Sequence, residues 1–340
     1  MNPDSKFMPL NFYLTPHPIA IMTRESLSKE MKAVRMHRRG GPENLVFENT
    51  NIPVISSGDV LIKVHAASIT PTELTWNSSY TDKKGNPRLP VIPSFEVSGT
   101  VVSVNENVKN IKTGDEVYGL LDFWNNGCAA EYTVTQASNI ALKPVTIDHV
   151  SSSSLPLSGL TAWQALFDFG KLDKGKTVLI HGGGGGVGSL AVQLARWKGA
   201  HVFATCSKDK EVIVKQLGAD QVIDYGKEKF EDKMENLDLI IDTVGGDTLK
   251  RSYQILKKGG ILVSIAADIH EELAHTYGIN AISMLVKPDT EKLKEIALLV
   301  DAGEIKPVVQ QVFPLRSAKE AYELGLRSHN LGKIVLKVID

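Results

Sequence analysis

Residues 182–188 read Gly-Gly-Gly-Gly-Gly-Val-Gly and follow directly on the apolar run Thr177–His181. Gly183, Gly185 and Gly188 satisfy the spacing G-x-G-x-x-G. A backbone stripped of side chains lets a diphosphate approach closely. The helix expected over Gly188–Lys198 would add unpaired N–H groups and a partial positive charge. Glycine spacing alone is a weak signal. A strand before it and a helix after it make it a dinucleotide fingerprint. The next strand, His201–Thr205, ends in Cys206-Ser207-Lys208 with no carboxylate at its tip. A site for a free ribose 2′-hydroxyl usually places an acid there. A hydroxyl and an ammonium suit a 2′-phosphate instead. The third strand runs to Asp224-Tyr225, whose phenol adds a donor. These residues predict NADP(H) rather than NAD(H) as cofactor.

Other reactive residues carry less. His270 and His275 sit five apart, roughly 140° around a helix, and share no face for a metal. His65 and His181 lie in apolar strands and read as structural. Glu96 reads as a buried structural carboxylate or a base. Trp76 and Tyr80 open a long polar loop over residues 76–93, and loops of that length tend to be functional. Tyr80 is a candidate proton donor or pocket wall, with plain packing as the alternative. Trp163 and Phe167 at i, i+4 read as helix packing.

The elements that must position these groups fall into two halves. The chain has 340 residues, and a domain takes ~150. Its net charge of −1, from 38 basic and 39 acidic residues, argues against nucleic-acid or anionic-membrane binding. Two cysteines, Cys128 and Cys206, exclude a disulfide scaffold or a four-cysteine zinc lobe and suit a reducing compartment. No run reaches the ~18 apolar residues of a membrane span. Residues 1–30 read as an N-terminal extension, its apolar patches split by Pro16 and Pro18, with a cytoplasmic location expected. From residue 31 short strands are expected at Met31–Met36, Asp59–Ala66, Ser98–Val104, Glu116–Leu120 and Ala130–Val134, the pattern of a barrel or sandwich. After Ser151–Ser154 and a helix over Leu155–Phe169, strands and helices alternate through Ala281–Val286, which predicts a parallel sheet. Helices over Thr290–Asp301 and Ser317–Arg327 and a strand over Lys333–Ile339 close the chain.

From residue 31 onward the chain resembles the medium-chain dehydrogenase/reductase superfamily, in its zinc-independent quinone oxidoreductase and zeta-crystallin-like branch. The motifs that carry the resemblance are Ala67–Leu74, Pro93–Gly99, Thr113–Gly119, Gly127–Tyr132, Leu155–Leu166, the glycine loop and Leu331–Leu336. The resemblance implies an α/β fold class: a GroES-like β-barrel catalytic domain from residues 31–154 and 290–340, and a Rossmann doubly wound parallel sheet from residues 155–289. It implies that Thr161 contacts the nicotinamide end and that Gly185, Gly186 and Val187 contact the pyrophosphate. Ser207, Lys208 and Tyr225 match a 2′-phosphate pocket. Thr243 and Val244 match the strand end beneath the adenosine, and Ile265 and Ala266 the strand end near nicotinamide. Arg327 and Lys333 match cofactor contacts from the returning C-terminal segment.

Zinc-dependent relatives hold their metal with a cysteine and a Gly-His-Glu motif. Thr70 and Ser94-Phe95-Glu96 stand at the matching positions, so no metal is expected. Thr70 then either donates a hydrogen bond to substrate or cofactor ribose, or simply closes a turn before Pro71. The implied activity is hydride transfer from NADPH to a quinone or an α,β-unsaturated carbonyl, without zinc. A carbonyl/alcohol oxidoreductase and a non-catalytic NADPH-binding sensor or structural protein are the alternatives. The expected assembly is a homodimer through the edge strand Ala281–Val286.

Overall fold

The computed structural model describes residues 29–327 and 330–339; residues 1–28 of the expected N-terminal extension lie outside them. Its strands are β1 (Glu30–Met36), β2 (Leu45–Asn51), β3 (Asp59–Ile69), β4 (Glu96–Val104), β5 (Glu116–Leu120), β6 (Tyr132–Gln136), β7 (Ile140–Leu142), β8 (Thr177–His181), β9 (His201–Cys206), β10 (Gln221–Asp224), β11 (Leu237–Asp242), β12 (Leu256–Ser264), β13 (Asn280–Ser283), β14 (Val309–Pro314) and β15 (Lys333–Lys337). The helices are α1 (His149–Ser153), α2 (Pro156–Trp163), α3 (Gly186–Trp197), α4 (Glu211–Gln216), α5 (Gly246–Ser252), α6 (Glu271–Tyr277), α7 (Thr290–Asp301) and α8 (Ala318–Arg327).

The class is α/β, as expected. One sheet runs β14-β15-β3-β4-β5-β7, with β6 also paired to β3, and β1-β2 form a separate hairpin. The other sheet is parallel throughout, in the order β10-β9-β8-β11-β12-β13. That is the doubly wound order, whose direction of winding reverses between β8 and β11. β8 is apolar along most of its length because both its faces are covered. Val178 and Ile180 pack into the main core, while Leu179 joins a second cluster with Leu249 and Tyr253 on the opposite face. β15 returns from the chain's end and pairs antiparallel with β3, Ile334 opposite Ile69.

Several elements differ from their sequence expectation. β13 stops at Ser283: Met284 and Val286 turn into the core, and Leu285 is left outward. The helix over Leu155–Phe169 is α2 followed by a π-helical turn, Gln164–Phe169. β2 and β14 are mostly exposed, so they lack the apolar runs that betray a buried strand.

Candidate functional site

A cleft of about 1020 Å³ lies between the carboxyl ends of β8–β11 and the edge formed by Ile69–Pro71 and Gly332–Ile334. This is the crevice where doubly wound sheets bind ligands.

The glycine turn forms its centre. Gly182 has φ +73°, a left-handed conformation that favours glycine. A Cβ on Gly188 would lie 2.1 Å from the Gly182 carbonyl oxygen, and one on Gly183 2.8 Å from Ala204 Cβ. These two glycines therefore pack the turn against helix and strand, while Gly185, Gly186 and Val187 line the cleft. α3 begins at Gly186, so the loop's own N–H groups form the helix N-terminus that attracts an anion. Beside it, Ser158 on α2 is 1% exposed, and its Oγ has no hydrogen-bond partner among the described residues. A Cβ on Gly186 would stand 3.1 Å from that Oγ. A buried hydroxyl with no protein partner, next to a helix N-terminus, fits a dinucleotide phosphate. The sequence reading missed Ser158, since nothing local marks it.

At the adenosine end the cleft is lined by Ser207, Tyr225, Thr243 and Val244, together with Lys210 and Arg251. Thr243 Oγ1 donates to the His181 carbonyl at 2.8 Å. The buried Asp242 carboxylate accepts from the N–H groups of Val244 and Gly245 and from Ser264 Oγ, fixing the turn into α5. Lys208 does not line the cleft. Its ammonium is bonded to Glu211, which raises its pKa; Lys208 and Lys215 together hold the Glu211 carboxyl at about 2. Lys210, two residues on, lines the cleft instead. It lies over Gly184 and its Nζ donates to the Asn330 carbonyl at 3.0 Å. Sequence alone does not say which lysine of that turn faces inward.

The cleft floor is polar and buried. Thr70 follows β3 directly and caps the 3₁₀ turn Pro71–Thr75; its N–H donates to Glu73 Oε1 at 3.3 Å. The Tyr322 hydroxyl also donates to that oxygen. Burial pushes the Glu73 carboxyl up to about 8. Lys333 donates to Thr70 Oγ1 at 3.1 Å and pairs with Glu96. Burial raises the Glu96 pKa and the Lys333 ammonium opposes that rise. Glu96 Oε1 accepts from the Leu157 N–H at 3.0 Å, so this carboxylate anchors the start of α2. Phe95 is 2% exposed and packs against Phe123, with ring centroids 5.3 Å apart. A phenyl ring, a hydroxyl and an ammonium do not fit a zinc site.

Other expected site residues lie elsewhere. Tyr80 is buried and its hydroxyl donates to the Leu74 carbonyl; with its proton spent there it is neither a cleft wall nor a proton donor. Thr161 is buried and donates to the Leu157 carbonyl at 2.6 Å. Ile265 and Ala266 follow β12 but do not line this cleft, and Arg327 pairs along α8 with Glu323 at 3.1 Å. His181 is structural: its two ring nitrogens meet the hydroxyls of Thr205 and Ser252 at 3.1 and 3.0 Å.

With this geometry in view, residues 56–145 match the alcohol dehydrogenase GroES-like domain, and residues 217–336 match the zinc-binding dehydrogenase family. The chain is 34% identical to the mitochondrial NAD(P)H oxidoreductase RTN4IP1 of Mus musculus, over 94% of this chain and 92% of that protein. It is 34% identical to the chloroplastic NADPH-dependent alkenal/one oxidoreductase of Arabidopsis thaliana, over 92% and 80%. The solved structure of a quinone oxidoreductase from Coxiella burnetii superposes with a TM-score of 0.85 at 35% identity, over 92% of this chain and all of that one. An antiparallel GroES-like sheet joined to a doubly wound parallel sheet, with a glycine turn in the cleft and relatives alike over nearly their whole length, places this chain in the medium-chain dehydrogenase/reductase superfamily of oxidoreductases.

Proposed function

We propose that the chain is an NADPH-dependent reductase of quinones or α,β-unsaturated carbonyls that works without zinc. The observation that carries this reading is the Thr70 hydroxyl, hydrogen-bonded by the Lys333 ammonium at the edge of a dinucleotide cleft. Thr70, which stands where the resemblance puts a zinc ligand, is instead hydrogen-bonded by a cationic group of the protein itself. The names of the alkenal/one and quinone oxidoreductase relatives support the substrate class.

When bound, NADPH supplies hydride. The residues of the chain do the rest. The N–H groups of Gly185, Gly186 and Val187, with Ser158 Oγ, hold the diphosphate. Ser207 and Tyr225 hold the 2′-phosphate, with Lys210 or a swung Lys208 adding charge. Thr70 Oγ donates to the substrate oxygen, and conjugation in a quinone or enone delivers negative charge to that oxygen. Residues 31–154 with 290–340 would form the substrate side and residues 155–289 the dinucleotide side. A homodimer through β13 belongs to this reading, since β13 ends the sheet and pairs only with β12 among the described strands. So does a cytoplasmic location, which suits two free, buried cysteines.

The test is NADPH oxidation across quinones, enals, enones and simple aldehydes, with product mass and metal content measured. Turnover of conjugated acceptors at less than one zinc per ten chains is expected. Turnover of aldehydes alone, or loss of activity to a chelator, would favour the carbonyl/alcohol reading. Tight NADPH binding with no turnover would favour a sensor.

A further inference from the structure

Lys333 follows the left-handed Gly332, whose N–H donates to the Gly184 carbonyl at 2.9 Å and ties the glycine turn to β15. The next residue, Ile334, pairs with Ile69, so the antiparallel register sets Lys333 opposite Thr70. The Lys333 side chain is 8% exposed and its Nζ meets two groups, the Glu96 carboxylate and Thr70 Oγ1. An ammonium only donates. Thr70 Oγ1 is therefore an acceptor toward Lys333, and its own O–H is left to donate in another direction.

We propose that Lys333 is a positioning residue for the reduction: its bond to Thr70 Oγ1 turns the Thr70 proton toward the cleft, and its charge backs the substrate oxygen that Thr70 addresses. This rests on the proposed role of Thr70. Such a device stabilises charge where it develops, the task a Lewis acid performs elsewhere.

The charge of the cluster supports it. Glu73, Glu96 and Lys333 are two carboxyls around one ammonium. With both carboxyls ionised the cluster would carry −1 and oppose a developing anion. Glu73 is faced by Tyr322 from α8, Lys333 from β15, Glu96 from β4 and Cys128 from the segment before β6, and Tyr80 faces Tyr322. Burial raises the pKa of Tyr322, Cys128 and Tyr80, so these three stay neutral. Glu73 keeps its proton up to about 8, which leaves Glu96, ion-paired with Lys333 and accepting from the Leu157 N–H, as the one carboxylate set against the ammonium.

The experiment is a double-mutant cycle on kcat with a quinone acceptor. It uses Thr70→Val, the charge-balanced pair Lys333→Met/Glu96→Gln (which leaves no lone buried charge), and the triple variant. NADPH Kd is measured for each by fluorescence. We expect Thr70→Val to lose about 100-fold in kcat, in line with loss of one oxyanion donor. The Lys333→Met/Glu96→Gln pair should lose at least tenfold, and the triple variant no more than Thr70→Val. Multiplicative losses would overturn the positioning role and leave Thr70 standing. An unchanged kcat in Thr70→Val would overturn the reading of Thr70 itself. A second measurement does not depend on how the paired variant folds. Wild-type kcat should fall as pH rises through about 8, and Glu73→Gln should abolish that limb. A limb that persists in Glu73→Gln overturns the proposal.

Discussion

Replacing Ser158 with alanine should make the protein more stable and a poorer binder of dinucleotide at once. Its hydroxyl is buried with no partner among the described residues and lies beside Gly186 at the start of α3. A buried donor without a partner costs about 1–3 kcal/mol. Alanine removes that cost and leaves only a small void, so a net gain of roughly 1 kcal/mol is expected. In a chain of this length that raises Tm by about 2 °C. With dinucleotide bound, the same hydroxyl would donate to a phosphate oxygen, and bonds to charged groups contribute about 1.5–3 kcal/mol. Ser158→Ala should then weaken binding by about 10- to 100-fold. NADPH and NADH should suffer equally, because both carry the diphosphate. The assay is a thermal scan without ligand, beside fluorescence titrations with each cofactor. A lower Tm together with unchanged affinities would refute the reasoning. A loss confined to NADPH would move Ser158 to the wrong end of the cleft.

Three further outcomes are expected. Lys210→Met should weaken NADPH at least tenfold more than NADH, while Lys208→Ala changes the ratio less than threefold, since Lys208 is exposed and held by Glu211; equal or reversed effects, read from cofactor Kd ratios, would show that Lys208 swings in. Ala281→Pro should turn a dimer into a folded monomer by light scattering: Met284 N–H points inward to Ser264, so the two-residue period turns the Ala281 N–H outward, and proline is tolerated on that side of an edge strand. Stability should fall as pH drops from 6.5 towards 4. Burial holds His65 and His181 at about 4 and lowers His149, whereas the unfolded chain takes up these protons near 6.5. The wholly buried His181 alone costs about 1.4 kcal/mol per pH unit across that window; an unchanged urea midpoint between pH 6.5 and 4.5 would contradict this.

What the sequence disclosed and what it hid divide along the range of the interactions. The glycine turn was legible because strand, turn and helix are contiguous, and Gly188 answers a clash only six residues back, with the Gly182 carbonyl. β8 and β11 were legible because burial on both faces imposes an apolar run. β14 was not: four of its six residues are exposed, and its place depends on pairing with β15. The lysine at the second strand end was legible as a charge but not as a direction, because the 3₁₀ turn Lys208–Lys210 aims one lysine at Glu211 and the other over Gly184. Tyr80 was misread for the same reason: a loop residue's polarity does not say that its hydroxyl is committed to Leu74. The floor of the cleft is the extreme case. Thr70 and Lys333 lie 263 residues apart, and neither has a local pattern that announces the other. Their meeting follows from a register, Ile334 on Ile69, set by the apolar residues on either side. A one-residue slip would turn Lys333 to the other face and leave Glu96 buried without its cation. The core therefore selects the polar contact. The Thr70–Lys333 pair becomes visible only when the sheet that carries both strands has been built.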